Sequence, residues 1–177
     1  MEKIFILMNE KDVSMMEEYK LNSKILLELI LRAYWMEKES VEELWAKFIH
    51  VPDELREVVN TLKKDGIEHQ KILEEILRRL KGVPPFYIEE KLREYGKLPS
   101  IIPSESFEFL TEILDNIINF EKSMRDVYRM IGDVDDDAIS YLFEIPVDEF
   151  RSRIRSILSD EEKHIQLLRS VRTPSWV

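Results

Sequence analysis

The sequence predicts an all-α fold: a bundle of four long helices, built as two duplicated helical hairpins joined by a long crossover. Three observations lead there. Only 4 of 177 residues are glycine, while 35 % are charged and 44 % apolar, a composition suited to long amphipathic helices. Proline-plus-acid starts and glycine stops divide the chain into long periodic stretches. One pattern also occurs twice: a lone glutamate on an apolar stripe, then an acid–histidine step on the next helix. In the second half it reads Glu121, then Asp160-Glu161-Glu162-Lys163-His164; in the first, Glu28, then Asp65-Gly66-Ile67-Glu68-His69. The predicted unit is one domain over residues 1–177, with a hairpin at about 14–82, a crossover at 83–103 and a hairpin at about 104–172.

The elements follow in order. Ser14 with Glu17 three residues on reads as a capping box opening helix one, which runs to about Ser40. A short piece from Val41 to His50 is closed by Val51-Pro52. Pro52-Asp53-Glu54 starts helix two with proline in the first turn and acids at the positive end of the helix dipole. That helix runs to Lys81 and stops at Gly82, with Pro84-Pro85 beyond. Within the crossover, Ile88 to Tyr95 has the pattern of a short helix. Pro103-Ser104-Glu105 starts helix three, which continues to Ile131 and ends at Gly132. Asp133, Asp135, Asp136 and Asp137 lack calcium-loop spacing and read as a solvated acidic turn. Ala138 to Ile145 is a connector, and Pro146-Val147-Asp148 starts helix four, which ends near Arg172.

The two halves align with each other. His69 and His164 are 95 residues apart, as are Asp65 and Asp160, Arg56 and Arg151, Glu54 and Glu149. A two-residue gap places Glu121 on Glu28, Arg125 on Arg32 and Tyr128 on Trp35. The ordered set reads as an internal duplication of a hairpin.

Composition excludes several functions. A net charge of −10 is the wrong sign for a nucleic-acid binder. With no cysteine there is no disulfide, thiolate metal site, iron–sulfur cluster or rubredoxin-type module. Any metal would sit on oxygen and nitrogen. No apolar run approaches the roughly 18 residues of a membrane span, and the first residues lack a signal-peptide pattern, so a soluble, cytoplasmic protein is expected.

The candidate site is clearest on helix four. Ile157, Leu167 and Leu168 lie at helical spacing from His164, which turns it toward the core. Glu161, three residues earlier, lies about 60° round the helix, so both side chains can reach one ion. Buried charges cost several kcal/mol each when isolated, so the pair needs a partner: a metal, or simply a core ion pair. Glu121 stands alone among Leu114, Ile117, Ile118, Met124 and Tyr128, and Glu28 among Leu21, Ile25, Leu31 and Trp35. Each has an arginine four residues on, Arg125 and Arg32, which is expected to turn outward. His69 shares a stripe with Leu62, Ile72, Leu73 and Ile76, as a ligand or as a hydrogen-bonded core histidine. Where helix four has Glu161, helix two has Gly66. Asp65 and Asp160 are expected to hold the opposite hairpin's imidazole, with Asp65 also a weak ligand. The gap predicts one tight cation at Glu121, Glu161 and His164 and a second, weaker one. Glutamate at position 66 is then expected to improve the site.

The run Glu121-Lys122-Ser123-Met124-Arg125-Asp126-Val127-Tyr128, followed by Leu158 through Leu168, resembles the rubrerythrin branch of the ferritin-like superfamily. The second stretch is also similar to bacterioferritin, and His69 through Pro84 resembles the second helix of the group. The resemblance covers about Ser14 to Arg172. It implies a ferritin-like bundle with a non-haem di-iron centre that reacts with dioxygen or peroxide or oxidises Fe(II). It carries Glu28, Glu121 and Glu161 over as carboxylate ligands, His69 and His164 as terminal imidazoles, and Tyr128 as a core tyrosine beside the metal, the candidate catalytic side chain. It also implies a homodimer and, without a rubredoxin module, an external electron donor. Zinc and manganese fit the same ligand types. Two other readings stand beside di-iron redox chemistry: a non-redox metal protein, and a degenerate bundle acting as an interaction module.

Overall fold

The computed structural model describes residues 10–44, 53–97 and 110–172, and within these the chain is helical with no strand. Its helices are α1 (Glu10–Glu39), followed by a π-helical turn (Ser40–Leu44), α2 (Asp53–Leu77), α3 (Pro85–Tyr95), α4 (Leu110–Gly132), α5 (Asp136–Leu142) and α6 (Val147–Arg172). Helix α1 begins four residues before Ser14, so the predicted capping box falls inside the helix rather than at its start. The predicted piece after Val41 is a π turn as far as Leu44, and its remainder lies outside the described residues, as does the Pro103 helix start.

The four long helices pack as a bundle. α4 lies against α6 and α1 against α2, while α2·α6 and α1·α4 contacts close the ring. Each contributes an apolar stripe to one core: Leu26, Ile30 and Ala33 from α1; Leu62, Leu73 and Ile76 from α2; Ile117, Met124 and Tyr128 from α4; Ile154, Ile157 and Leu168 from α6. Apolar residues at three- and four-residue steps make such stripes, and their burial supplies most of the stability of helices this long.

The ends of the bundle are tied by local chemistry. After α2 the chain turns through Leu80, which bridges to Phe143; Lys81 N–H donates to Leu142 O at 2.9 Å, and Glu144 N–H to Arg79 O at 2.8 Å. α2 ends at Leu77, short of the predicted Lys81, because Leu80 leaves it to bridge Phe143; Gly82, five residues beyond the helix, takes φ +68°, a left-handed conformation that favours glycine. The acidic turn is not simply solvated. Arg151 donates to Gly132 O, Val134 O and Asp136 Oδ1, closing the end of α4, and Asn22 Nδ2 donates to Asp135 Oδ2. α5 turns Ala138, Ile139 and Leu142 inward, and the Phe143 and Phe150 rings stack at 5.5 Å. Phe150 is wholly buried, so Phe150→Ala is expected to lower unfolding free energy by about 3–5 kcal/mol in urea titration.

Helix α3 buries none of its residues and rests on the outside of α1. Trp35 Nε1–H donates to Gly96 O at 2.8 Å, and the Trp35 and Tyr95 rings meet at 5.5 Å. Tyr95 O–H donates to Glu28 Oε1 at 2.5 Å. Among the described residues, no helix is long and apolar enough to cross a membrane.

Candidate metal centre

Seven polar or charged residues are buried among the described ones, and five of them meet between the four long helices: Glu37, His69, Glu121, Glu161 and His164. Four of these are residues the sequence singles out. The fifth, Glu37, takes the place expected of Glu28. On α1, Leu21 and Ile25 are 59 % and 46 % exposed, and of the four apolar residues assigned to the Glu28 stripe only Leu31 is buried. Glu28 is exposed and engaged by Tyr95 from α3. The inward stripe is Leu26, Ile30, Ala33 and Glu37, set at three- and four-residue steps.

Two groups of three donors form within the cluster, their ligand atoms within 4.8 Å of one another: Glu37, His69, Glu161, and Glu121, Glu161, His164. Glu161 belongs to both. His69 Nδ1 lies 3.0 Å from Glu37 Oε1 and 3.3 Å from Glu161 Oε1. His164 Nδ1 lies 3.1 Å from Glu121 Oε2 and 3.9 Å from Glu161 Oε1. The two rings face each other with centroids 6.0 Å apart. Each imidazole thus turns Nδ1 into the cluster and Nε2 away from it.

Behind each ring stands an aspartate from the other hairpin. His164 Nε2 lies 3.2 Å from Asp65 Oδ2, and His69 Nε2 lies 3.6 Å from Asp160 Oδ2, beyond hydrogen-bond reach. A carboxylate behind an imidazole fixes the ring's orientation and tautomer, as in many metal sites. Tyr128, wholly buried on α4, donates its O–H to Glu37 Oε1 at 2.7 Å and packs edge-on at 6.4 Å from the His69 ring. Arg125 turns to Asp126, with Nη2 2.7 Å from Oδ1, and Arg32 is exposed, so neither competes for the cluster. Glu68, adjacent to His69, pairs with Lys71 on the surface.

The electrostatics are those of charges crowded out of water. Burial opposes a charge on His69, but the Glu161 and Glu37 carboxylates outweigh it and push its pKa up to about 11. Burial also opposes a charge on His164, while Glu121 and then Asp65 hold its pKa above the ordinary value. For Glu161, burial and then the Glu121 charge push the carboxyl well above the usual range. Tyr128 is raised by burial and by the neighbouring glutamates, so it keeps its proton. Three buried carboxyl groups therefore face two imidazoles, one more acid than base. Without a cation, that excess is relieved by a proton on Glu161 at a cost in buried polarity.

Two further observations fit a cation better than a closed ion-pair network. Glu161 Oε2 is buried without a hydrogen-bond partner; so is His69 Nε2, but that atom is turned away from the cluster toward Asp160. A cavity of about 10 Å³ also lies against Glu37, Ser40, Glu121, Glu161 and His164, walled on its other sides by Leu62, Phe120 and Met124. A space of that size admits about one water-sized occupant. The donor set is oxygen and imidazole nitrogen, which suits iron, manganese and zinc.

Position 66 lies on the inner side of α2, where a Cβ would stand 3.1 Å from Val41 Cγ2 and 3.3 Å from Glu37 Oε2. Glu37 and Val41 fill the room that a side chain there would need. Glutamate at 66 would therefore reach the site only if Val41 or the end of the Glu37 side chain gave way by a few tenths of an ångström. Glu37 is the functional residue that sequence reasoning missed, and its one signal is the Leu26, Ile30, Ala33 stripe ending on it.

No protein-family model matches this chain, and no curated protein or solved structure matches it.

Proposed function

We propose that this is a metal-binding protein of ferritin-like type, in which two duplicated hairpins hold a pair of non-haem iron ions. The observation that carries the reading is the reciprocal pair of donor groups sharing Glu161, each imidazole backed by an aspartate from the opposite hairpin. Glu37, His69 and Glu161 would hold one ion, and Glu121, Glu161 and His164 the other. Iron held there supplies one-electron chemistry toward peroxide or dioxygen, as the rubrerythrin resemblance implies. The protein's own groups prepare the place for it. Apolar walls from Leu62, Phe120 and Met124 exclude water, which strengthens every charge interaction inside. Asp65 holds the His164 ring with Nδ1 inward, and Asp160 stands behind His69 at 3.6 Å as a charge partner. Tyr128 fixes one oxygen of Glu37 and stays protonated, so it keeps a hydrogen bond on that atom. In this reading the physiological partners are a small oxidant and an external electron donor, and the bundle pairs as a homodimer.

A second reading, a non-redox site for zinc or for a single ion, is favoured by one observation. Each group offers three protein donors, and position 66 contributes none.

Metal analysis of protein from iron-replete cells, followed by anaerobic Fe(II) loading and exposure to peroxide or dioxygen, separates these readings. Two irons per chain with oxidant-dependent absorbance changes are expected. One ion, or zinc with no response to oxidant, selects the second reading. Protein that takes up no metal would overturn both and leave an interaction module.

A further inference from the structure

We infer that Gly66 is a positioning residue: by having no side chain it lets the Glu37 carboxylate lean against α2 and reach His69. The inference deepens the two-cation reading and rests on it for its metal readout alone. Glu37 enters the cluster from α1 at the turn where α-helix gives way to the π turn Ser40–Leu44. Its Oε1 is held from two sides, by Tyr128 O–H at 2.7 Å and His69 Nδ1 at 3.0 Å. Its Oε2 occupies the space beside Gly66, 3.3 Å from where a Cβ would stand. Val41, the first full residue step into the π turn on that side, closes the remaining room at 3.1 Å.

The position is mid-helix, where glycine is the weakest ordinary residue for stability. No left-handed conformation requires it: the positive-φ glycines are Gly82 and Gly96. What the glycine provides is therefore space, and the occupants of that space are a buried carboxylate and one methyl group. On the opposite hairpin the aligned position is Glu161, whose carboxylate enters the cluster itself. The two hairpins thus differ in one respect. One supplies a carboxylate from the step before its histidine, and the other clears that step so that Glu37 fits.

Gly66→Ala tests this in two ways. In metal-free protein, the imidazole NMR resonances of His69 are expected to shift while those of His164 stay in place, because only His69 depends on Glu37. In anaerobic Fe(II) titration the parent is expected to take two equivalents. The variant should keep the one at Glu121, Glu161 and His164 and bind the other at least tenfold more weakly. Helical content should hold, since alanine is the better helix former, so a shift at His69 reports the displaced carboxylate rather than loss of α2. If the variant does not fold, Val41→Ala is added, removing the methyl contact and leaving the one to Glu37. Unchanged His69 resonances, in the single or double variant, would overturn the inference whatever the metal result. Shifted resonances in a protein whose parent binds no iron would uphold the positioning role and sink the metal reading instead.

Discussion

Glu161→Gln is expected to remove both cations at once, because Glu161 is the one carboxylate common to the two donor groups. Affinity for each should fall at least about 100-fold, the upper end of what loss of even an outer partner costs a metal site. The comparison that gives this meaning is His164→Ala. His164 belongs to one group only, so that variant should keep the ion held by Glu37, His69 and Glu161. Thermal unfolding with and without metal supplies the second readout. At free metal 100 times Kd the parent gains about 2.7 kcal/mol for each ion bound, and a Glu161→Gln protein weakened 100-fold should gain only about 0.4 kcal/mol for each. The metal-free variant should stay within about 1 kcal/mol of the parent, since without a cation Glu161 already carries a proton and the amide replaces one neutral group with another. Equal metal uptake by Glu161→Gln and the parent would mean that the cluster is an ion-pair network.

Much of this arrangement was legible in the sequence, and the exceptions share one cause. The Val147 start of α6 and the Gly132 end of α4 fall where the sequence puts them because their chemistry is local. His164 and Glu161 were placed by a three-residue step on one helix, a relation that tertiary packing cannot alter. Asp65 and Asp160 followed from the same spacing repeated 95 residues on. Helix α1 was different. Leucine and isoleucine occupy Leu21, Ile25, Leu26, Leu27, Leu29, Ile30 and Leu31, which surround the helix rather than marking one side. The face that packs inward ends in small or polar residues, Ala33, Glu37 and Ser40, and so carries the weaker apolar signal. The stronger signal, around Glu28, belongs to a face that α3 and its end partly cover, Tyr95 bonding Glu28 and Gly96 O accepting from Trp35. Periodicity identifies a stripe; it does not say which of two stripes meets the core. The crowding at position 66 was hidden for a related reason, since it arises between α2 and the π turn after α1, and no local rule predicts a π turn there.

The register of α1 therefore decides which glutamate serves the site, and paired substitutions read it out. Glu37→Gln should weaken the ion beside His69 by about 100-fold while sparing the ion at His164. It should also cost about 1–3 kcal/mol in the metal-free protein. There the buried Tyr128 hydroxyl and His69 Nδ1 both point at a Glu37 oxygen, and a neutral amide serves them less well. Glu28→Gln should do neither. Its side chain is exposed, and an amide oxygen still accepts the hydrogen bond from Tyr95, so stability should stay within about 0.5 kcal/mol and metal uptake should be unchanged. The contrast is internal to one helix, so effects on folding at large cancel between the two variants. Loss of metal in Glu28→Gln with retention in Glu37→Gln would require α1 to turn by a different face, and the cluster would then have to be rebuilt around Glu28.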